Sequence, residues 1–432
     1  MGKSFRAWNP EQRYLLPPAV DEFVPPGHLA HFVRELVRES LDLGAIVESH
    51  AGEERGYPPC DPTMMTGLLL YAYCQGIYSS RRIAQAREQR LDFMAVTALN
   101  RPDFRTVSDF RKRHLGALGE LFVQVPGLCR QAGLARLGHV SLDGTKVKAN
   151  ASRHKAMSYG RMGQAQRRLL GEVAAWFEQA AAADGAEDGE FSKERRGDEL
   201  PGWVADKPHR LEKIGKAKAA LEAEARAAAT RPGQDDQEPG QGVPEDKAQR
   251  NFTDPDSRIM KGSEGFVQAC NAQAAVDADS RVIVARMLTN QAADVNHLTP
   301  MLDRVSVNTG AQPREFSADA GYCSEDHLEE IQRRRLNAYI ATGRLVHGRG
   351  AAGADEKSKG GPRRVAMWRK LRQGGLRSRC RLRKQTAEPI FGAIKQARGF
   401  RQFLLRGLGK VRAEWSLPCT AHNLLKLAGA RG

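Results

Sequence analysis

The sequence predicts an α/β protein with an all-α N-terminal region and a helical insertion. Three observations predict this class: the first 135 residues contain helical patterns between tight turns, residues 137–149 and 266–289 alternate as strands do, and short strands then alternate with helices. The expected organisation is a helical N-terminal domain at 1–135 and an α/β domain at 136–430, interrupted by an insertion at 152–255.

The longest apolar stretch of the N-terminal region predicts a buried helix. Asp61 is a suitable N-cap and Pro62 a suitable first helical residue, so we expect a helix over 62–76. Its apolar part, residues 64–78, is too short and too interrupted to span a bilayer. The N-terminus also lacks the apolar segment of a secretory signal. We therefore expect a cytoplasmic protein without a membrane partner.

Two further helices are expected before residue 115. Ser79 or Ser80 is expected to cap the first helix, and Thr106 is expected to cap the second. Short capped helices with exposed cations are typical of a helix-turn-helix assembly, and equally of a helical bundle with a charged exterior. The cations that we expect to be exposed on these helices are Arg81, Arg82, Arg111, Lys112 and Arg113.

The second region alternates strands and helices, which is typical of an α/β core. Residues 137–149 (LGHVSLDGTKVKA) predict a strand followed by a turn or by a second strand. Residues 266–289 predict two strands joined by a hairpin turn at 277–280 (DADS). Further along, we expect a helix at 291–305, a strand at 315–319, a helix capped by Ser324 and a strand at 337–342.

The insertion at 152–255 differs in composition from the rest of the chain. It contains two Ala-rich helical patterns, followed by the low-complexity stretch GQDDQEPGQGVPEDKAQ. A DNA clamp, a dimerisation arm and an inert decoration are all compatible with this pattern. The glycine-rich stretch at 348–364 predicts a mobile loop, and it has no GxxxxGK[ST] match that would indicate a phosphate-binding P-loop.

Charge and cysteine usage narrow the class of partner. The formal net charge is +16 and the pI is about 9.7. Such an excess favours a polyanionic partner, most often nucleic acid and less often an acidic membrane surface, although a solvated basic face is also possible. The seven cysteines are scattered without CxxC spacing. An odd number without a pattern argues against a disulfide framework and indicates a reducing cytosol.

Three carboxylates are candidate site residues because of their positions. Asp143 follows the apolar run HVSL, Asp319 follows EFSA, and Glu388 is expected in the first turn of a helix with Thr386 as N-cap and Gly399 as C-terminal stop. Each has a structural alternative. Asp143-Gly144 is a common turn pair, Asp319 could cap a loop, and Glu388 could simply favour the positive helix N-terminus.

Glu388 is the only acid between residues 361 and 413, within a long basic run. Its structural alternative leaves these cations unexplained. Two strand-end aspartates and one glutamate would suffice for a two-metal phosphoryl-transfer site, with the cations holding a phosphate backbone. Lys146 and Lys148 share one side of an extended segment and suit either phosphate contact or solvation. The cations of the run are Arg363, Arg364, Arg369, Lys370, Arg372, Arg377, Arg379, Arg381, Arg383, Lys384, Lys395, Arg398, Arg401, Arg406, Lys410 and Arg412.

Four long stretches resemble one family. They are SLDGTKVKANASRHKAMSYGRM, DPDSRIMKGSEGFVQACNAQAAVD, ADAGYCSEDHLEEI, and RKQTAEPIFGAIKQARGFRQFLLRGLGKVRAEWSLPCTAHNLLKL. Together with SSRRIAQAREQRLDFMAVTALNRPDFRTVSDFRKRH near the N-terminus, they resemble a bacterial insertion-sequence transposase of the DDE superfamily. The similar branch has a helical N-terminal domain. The resemblance covers nearly the whole chain apart from the low-complexity insertion.

The resemblance implies an RNase H-like core, a mixed five-stranded sheet flanked by helices. It maps the family's catalytic and metal-binding triad onto Asp143, Asp319 and Glu388, and it implies two Mg²⁺ or Mn²⁺ ions. It also implies double-stranded DNA partners (terminal inverted repeats and target DNA), a homo-oligomer on DNA and a place at the bacterial nucleoid. The expected DNA-binding residues are Lys146, Lys148, Arg383, Lys384, Lys395, Arg398, Arg401, Arg81, Arg82, Arg111 and Arg113.

The region around the glutamate departs from the family pattern in one respect. Lys395 matches the family's lysine seven residues after the glutamate, and Lys384 occupies the arginine place, but Cys380 and Arg381 stand where a tyrosine is expected. The leading hypothesis is a metal-dependent DNA strand transferase. The alternatives are an inactive copy that only binds DNA, as a binder or repressor, and an RNase H-like nuclease without strand transfer.

Overall fold

The computed structural model describes residues 19–50, 59–187, 202–229, 242–262, 265–343, 360–374 and 379–431. Predictions for the N-terminus before residue 19, for most of the low-complexity stretch and for residues 348–359 of the glycine-rich loop lie outside the described residues. The described residues form eight strands and fourteen α-helices.

The first seven helices precede the central sheet, and two long helices lie in the predicted insertion. In chain order, the helices are Leu29–Glu39 (α1), Gly44–Val47 (α2), Pro62–Cys74 (α3), Ser80–Gln89 (α4), Leu91–Val96 (α5), Phe104–Arg113 (α6), Leu115–Gln131 (α7), Tyr159–Glu187 (α8), Gly202–Ala229 (α9), Leu298–Thr309 (α10), Glu325–Arg333 (α11), Pro362–Gly374 (α12), Leu382–Gly392 (α13) and Leu408–Gly429 (α14). The strands are His139–Lys148 (β1), Ala156–Ser158 (β2), Gln249–Asn251 (β3), Arg258–Gly262 (β4), Gly265–Asp277 (β5), Ile283–Thr289 (β6), Glu315–Ala318 (β7) and Asn337–Ile340 (β8).

The central sheet is mixed, which confirms the predicted α/β class. β1 pairs with β5 in antiparallel and with β7 in parallel, β5 pairs with β6 in antiparallel, and β7 pairs with β8 in parallel. These five strands run in the order β6-β5-β1-β7-β8, as expected of an RNase H-like sheet. β4 pairs with the first residues of β5 and brings the sheet to six strands, one more than predicted. β2 and β3 form a separate two-stranded antiparallel sheet.

Two local predictions were wrong. No turn follows Asp143, because Asp143 and Gly144 pair with Ala274 and Gln273 and the β1–β5 ladder continues to Lys148. The second expected cap is also misplaced. α6 begins at Phe104, and the side chain of Asp103, not that of Thr106, caps it by accepting from the Thr106 N–H. The predicted caps at Asp61 and Ser324 are confirmed.

Helix α14 joins the N-terminal helices to the sheet. It packs against α3, α7 and β6, and Trp415 at its centre is fully buried. A single apolar cluster therefore extends from Val24 to Leu427. Helices α8 and α9 instead pack on each other around a small separate cluster that includes Met162, Leu169 and Ile214.

The helices and cysteines of the described residues bear on whether the chain spans a membrane or forms disulfides. Among its helices, none combines the length and the apolar character that crossing a bilayer requires. All seven cysteines are free, and only Cys60 is not fully buried.

We expect Asn423→Ala to destabilise the protein by about 2–4 kcal/mol, because it leaves two buried backbone groups without partners. Asn423 is fully buried; its amide donates to the carbonyl of Ile283 at 2.8 Å and accepts from the N–H of the same residue at 2.8 Å. The free energy of unfolding in urea measures the effect. As a matched control, Asn308→Ala removes one bond, to the carbonyl of Val284 at 2.9 Å, and is expected to cost about 1 kcal/mol. Equal small losses for both variants would contradict this account.

Candidate active site

The two aspartates lie on neighbouring parallel strands. The parallel pairing of β1 with β7 ends at Ser141, and Asp143 follows two residues later within β1. Asp319 comes directly after β7 and caps the next turn by accepting from the N–H of Gly321 at 2.9 Å. Because parallel neighbours present their carboxyl ends at the same edge of a sheet, the fold brings both side chains to one place.

Arg383 connects the third carboxylate to the first. Its guanidinium donates to Asp143 Oδ2 at 2.8 Å and lies 3.4 Å from Glu388 Oε1. Arg383 and Asp143 are almost fully enclosed, with side-chain exposures of 12% and 10%, whereas Glu388 is 48% exposed. Both Arg383 and Glu388 lie on α13, which packs against β1 and β5. The structure therefore gathers two predicted acids around one cation.

The carboxylates and the guanidinium influence one another's protonation. Burial raises the pKa of Asp143 to about 6; Arg383 opposes that rise, and Asp319 and Glu388 add to it. Burial also raises the pKa of Asp319, again against the effect of Arg383. Burial lowers the pKa of Arg383, but Asp143, Asp319 and Glu388 together raise it above its ordinary value. Arg383 thus stays charged and neutralises part of a negative cluster.

Helix α13 starts earlier than predicted, which corrects two residue roles. Thr386 lies inside the helix and donates its hydroxyl to the carbonyl of Leu382 at 2.6 Å, so it is not an N-cap, and Glu388 is not in the first turn. Lys384 is exposed. Arg383, rather than Lys384, therefore holds the position beside the carboxylates. Cys380 is buried in the turn before α13.

Lys395 anchors the end of this helix to the strand that carries Asp143. It lies in the π-helical turn Ala393–Ala397, a feature that is frequent at functional sites. Its Nζ donates to Thr145 Oγ1 at 3.1 Å and to the carbonyl of Lys146 at 3.0 Å. Ile390 and Ile394 of this segment are buried, whereas Ala397 is exposed.

A polar network beside the aspartates was not identified from the sequence. Asp294 Oδ1 accepts from Asn271 Nδ2 at 2.6 Å and from Gln273 Nε2 at 2.8 Å, and it lies 3.4 Å from Lys146 Nζ. The Tyr322 hydroxyl donates to Gln273 Oε1. The buried amides Asn271 and Gln273 in β5 are the sequence signal that could have revealed it, because buried amides need partners.

The predicted DNA-binding residues are only partly on the surface. The structure leaves six of the eleven exposed: Arg81, Arg82, Arg113, Lys148, Lys384 and Arg401. Arg111 is buried and donates to the carbonyl of Tyr78 at 2.7 Å, so its predicted exposure was wrong. Arg111 lies on the buried side of α6, with Val107 and Phe110. Arg398 is half-buried and bonded to His422 Nδ1 at 3.0 Å.

The triad offers the ligands that a hard divalent cation prefers. Asp143, Asp319 and Glu388 supply only carboxylate oxygens, the donor type of Mg²⁺ and Mn²⁺ sites. In the described residues, however, no three His, Cys, Asp or Glu side chains converge closely enough to form a ready-made metal centre. Arg383 instead bridges Asp143 and Glu388. The chemistry of the three carboxylates fits a divalent metal, although their oxygen atoms do not converge on one point in this structure.

Comparison with known proteins identifies the family. A transposase domain (DUF772) matches residues 18–113, and a transposase DDE domain matches residues 239–424. The chain belongs to the insertion-sequence DDE transposases. Asp319 and Glu388 of this transposase lie in the second matched range, whereas Asp143 lies between the two ranges. No curated protein and no solved structure matches the chain significantly.

Family membership gives the transposase a general biochemical character. The DDE domain indicates a polynucleotidyl-transferase type of activity. Transposase domains at both ends imply DNA partners, and DDE transposases typically use divalent metals.

Asp143→Asn is expected to stabilise the metal-free transposase at pH 8. The pKa of Asp143 is raised from 3.8 to about 6, so the cost of burying its charge is absent below pH 4, grows as the pH rises to 6 and is complete above that. An amide avoids this cost, which is on the order of 3 kcal/mol. Urea unfolding with EDTA at pH 4.5 and pH 8 measures it, with the exposed Asp279→Asn as control. A stabilisation that is equal at both pH values would contradict the assignment.

Gly144→Ala is expected to destabilise the transposase by about 1–3 kcal/mol, because a Cβ there overpacks a fixed neighbour. This Cβ would collide with Gln273 Nε2 and would lie 3.2 Å from Asn271 Oδ1. The Gln273 amide cannot easily move, since Asn271, Asp294 and Tyr322 all bond it. Thermal and urea unfolding measure the change. Gly392→Ala on α13 is the control: it meets nothing within 4 Å and is expected to be neutral or slightly stabilising. A neutral Gly144→Ala would show that the network adapts.

Proposed function

We propose that this transposase cuts the ends of its own insertion sequence and joins them to target DNA, with Asp143, Asp319 and Glu388 as catalytic, metal-binding carboxylates. One observation carries the proposal. The three acids come from segments far apart in the chain, yet all three act on the Arg383 guanidinium, and Arg383 contacts two of them directly. A packed bundle with a charged exterior gives no reason to bury an aspartate and an arginine beside two further acids.

Each residue has a distinct part in this reaction. Asp143, Asp319 and Glu388 would hold two Mg²⁺ or Mn²⁺ ions, which supply activation of the attacking hydroxyl and charge neutralisation at the leaving oxygen. Arg383 holds the carboxylates against their mutual repulsion and places a fixed positive charge beside the phosphate that is cut. Lys395 fixes the position of α13, and therefore of Glu388, relative to β1.

A basic surface continues from the site along β1 to the N-terminal helices. Lys148 at the end of β1 and Arg401 are exposed. Just beyond them is a cavity of about 630 Å³ between α6, α7 and the segment before α14, with Lys112, Arg406 and Lys410 in its walls. DNA bound along this surface contacts both the helical region at 1–135 and the α/β domain at 136–430. Phosphate contacts of this kind make binding strongly dependent on salt.

A second candidate function is DNA binding without cleavage. The observation that favours it is that Arg383 occupies the space between Asp143 and Glu388, where the cations are expected to bind. In this case the protein holds the ends of the element as a binder or repressor. In either case, we propose an oligomer on paired DNA ends, and the insertion at 152–255 is available as a dimerisation arm or DNA clamp.

A cleavage assay on the DNA that flanks the gene separates the two functions. With Mg²⁺ or Mn²⁺, the unmodified protein is expected to nick the element's end and to join the 3′-end to a target duplex. Asp143→Asn, Asp319→Asn and Glu388→Gln are each expected to lower the rate on the order of a thousandfold with DNA binding kept. Asp326→Asn, an exposed acid on α11, is the matched control. Binding without nicking by the unmodified protein, in either metal, would establish the second function.

A further inference from the structure

A second basic cavity lies at the β6 edge of the sheet. It has a volume of about 310 Å³ and its walls come from β6, α10, α14 and the turn before α10. Three arginines line it: Arg286 from β6, Arg304 from α10 and Arg412 from α14. His297 also lines it, and no acidic residue does.

The arginines have partners, but these partners are uncharged. Arg304 donates to the carbonyl of Arg286 at 3.2 Å, and Arg412 donates to the carbonyl of Leu288 at 3.1 Å. Arg286 donates to the carbonyl of Gly119 at 3.0 Å. The bonds of Arg304 and Arg412 cover carbonyls of the edge strand β6, which is a sufficient structural reason for one donor of each. A guanidinium has five donors, and across the described chain none of the three forms an ion pair.

Two buried nitrogen atoms at the cavity have no hydrogen-bond partner among the described residues. They are Nε of Arg286 and Nε2 of His297. Unpartnered buried polar atoms are uncommon in folded proteins and often indicate a missing ligand or water. Burial lowers the pKa of Arg286, and repulsion from Arg304 adds to that fall, whereas Cys419 and Glu120 oppose it. A bound anion would relieve that repulsion.

The register of the sheet places this cavity beside the proposed active site. Asp143 pairs with Ala274, and Ala274 pairs with Arg286, so the three residues lie on one line across β1, β5 and β6. Neighbouring strands are about 4.8 Å apart, so the Cα atoms of Asp143 and Arg286 are about 10 Å apart. Directly paired residues also direct their side chains to the same face of a sheet.

We propose that this cavity binds a backbone phosphate of the DNA strand close to the phosphate that is cut. The inference rests on the proposed function for its ligand. Planar guanidinium forks match the geometry of phosphate oxygens and can bind them through two parallel hydrogen bonds. Arg304 and Arg412 are exposed, so a long polymer that passes the edge of the sheet can reach them, while Arg286 supplies the enclosed end of the site.

The test compares two double variants with the same loss of charge. Arg304→Gln with Arg412→Gln removes two walls of the cavity. Arg136→Gln with Arg153→Gln is the matched control, because both of these arginines are exposed and bonded to backbone carbonyls, of Gly133 at 3.1 Å and of Phe266 at 3.4 Å. The affinity of the full chain for a flanking-DNA duplex is measured from 50 to 300 mM NaCl (about the range over which phosphate contacts are resolved).

The cavity variant is expected to reduce the slope of log affinity against log salt by about 0.9 for each phosphate lost, and the control is expected to leave it unchanged. Equal slopes for the two double variants would overturn the proposal. A parallel arm adds inorganic phosphate and follows the melting temperature. One further outcome would overturn the proposal in favour of a small-anion site. In it, phosphate stabilises the unmodified protein but not the cavity variant, while the slope of DNA affinity against salt is the same for both.

If the double variant melts much earlier than the control, Arg304→Gln alone provides the test, since it leaves the bond of Arg412 to Leu288 intact. Its slope is expected to fall in the same direction, and an unchanged slope counts against the site. The measurement needs no DNA cleavage. If the cavity variant changes the slope as expected but the unmodified protein never nicks DNA, the result supports the cavity and contradicts the proposed catalysis. If the protein nicks DNA but the slope does not change, the result supports the catalysis and contradicts the cavity.

Discussion

The charge balance around Arg383 is the constraint on which the candidate site of this transposase depends. Asp143 is enclosed, and Asp319 and Glu388 add to the electrostatic cost of its charge. Arg383, 2.8 Å from Asp143, supplies the compensating positive charge. Removing Arg383 would leave the enclosed Asp143 carboxylate without a compensating charge. The early start of α13, its packing on β1 and the anchoring of its far end by Lys395 all serve to keep that guanidinium in position.

The same region illustrates how function and stability compete. Burial raises the pKa of Asp143 to about 6, so the native state carries an electrostatic cost at neutral pH that a neutral side chain would avoid. On β5, which pairs with the strand of Asp143, the buried amides of Asn271 and Gln273 both donate to Asp294. Gly144 provides the space for the Gln273 amide. Asp-Gly therefore reflects close packing inside a strand and not a turn.

Much of the fold followed from local patterns, but several site details did not. Alternating residues, the hairpin at 277–280 and the caps at Asp61 and Ser324 were predictable because neighbouring residues determine them. Arg383 was not distinguished from Lys384, because one residue rotates a helical position by about 100° and only packing fixes the rotation. Arg111 was assigned to the surface for the same reason. The role of Asp294 was not predictable, because its partners Asn271 and Gln273 are distant in sequence.

Helix α14 has a mechanical consequence for how DNA is handled. It contacts α3 and α7 from the N-terminal part and β6 from the sheet, with a buried tryptophan at its middle. Because α14 packs against both parts, we expect the packed protein to fix the span between bound DNA and the proposed cleavage site. Under the proposed function, tolerance in the position of the cut would then come from bending of the DNA itself, so stiff and pliable end sequences should be cut with different accuracy.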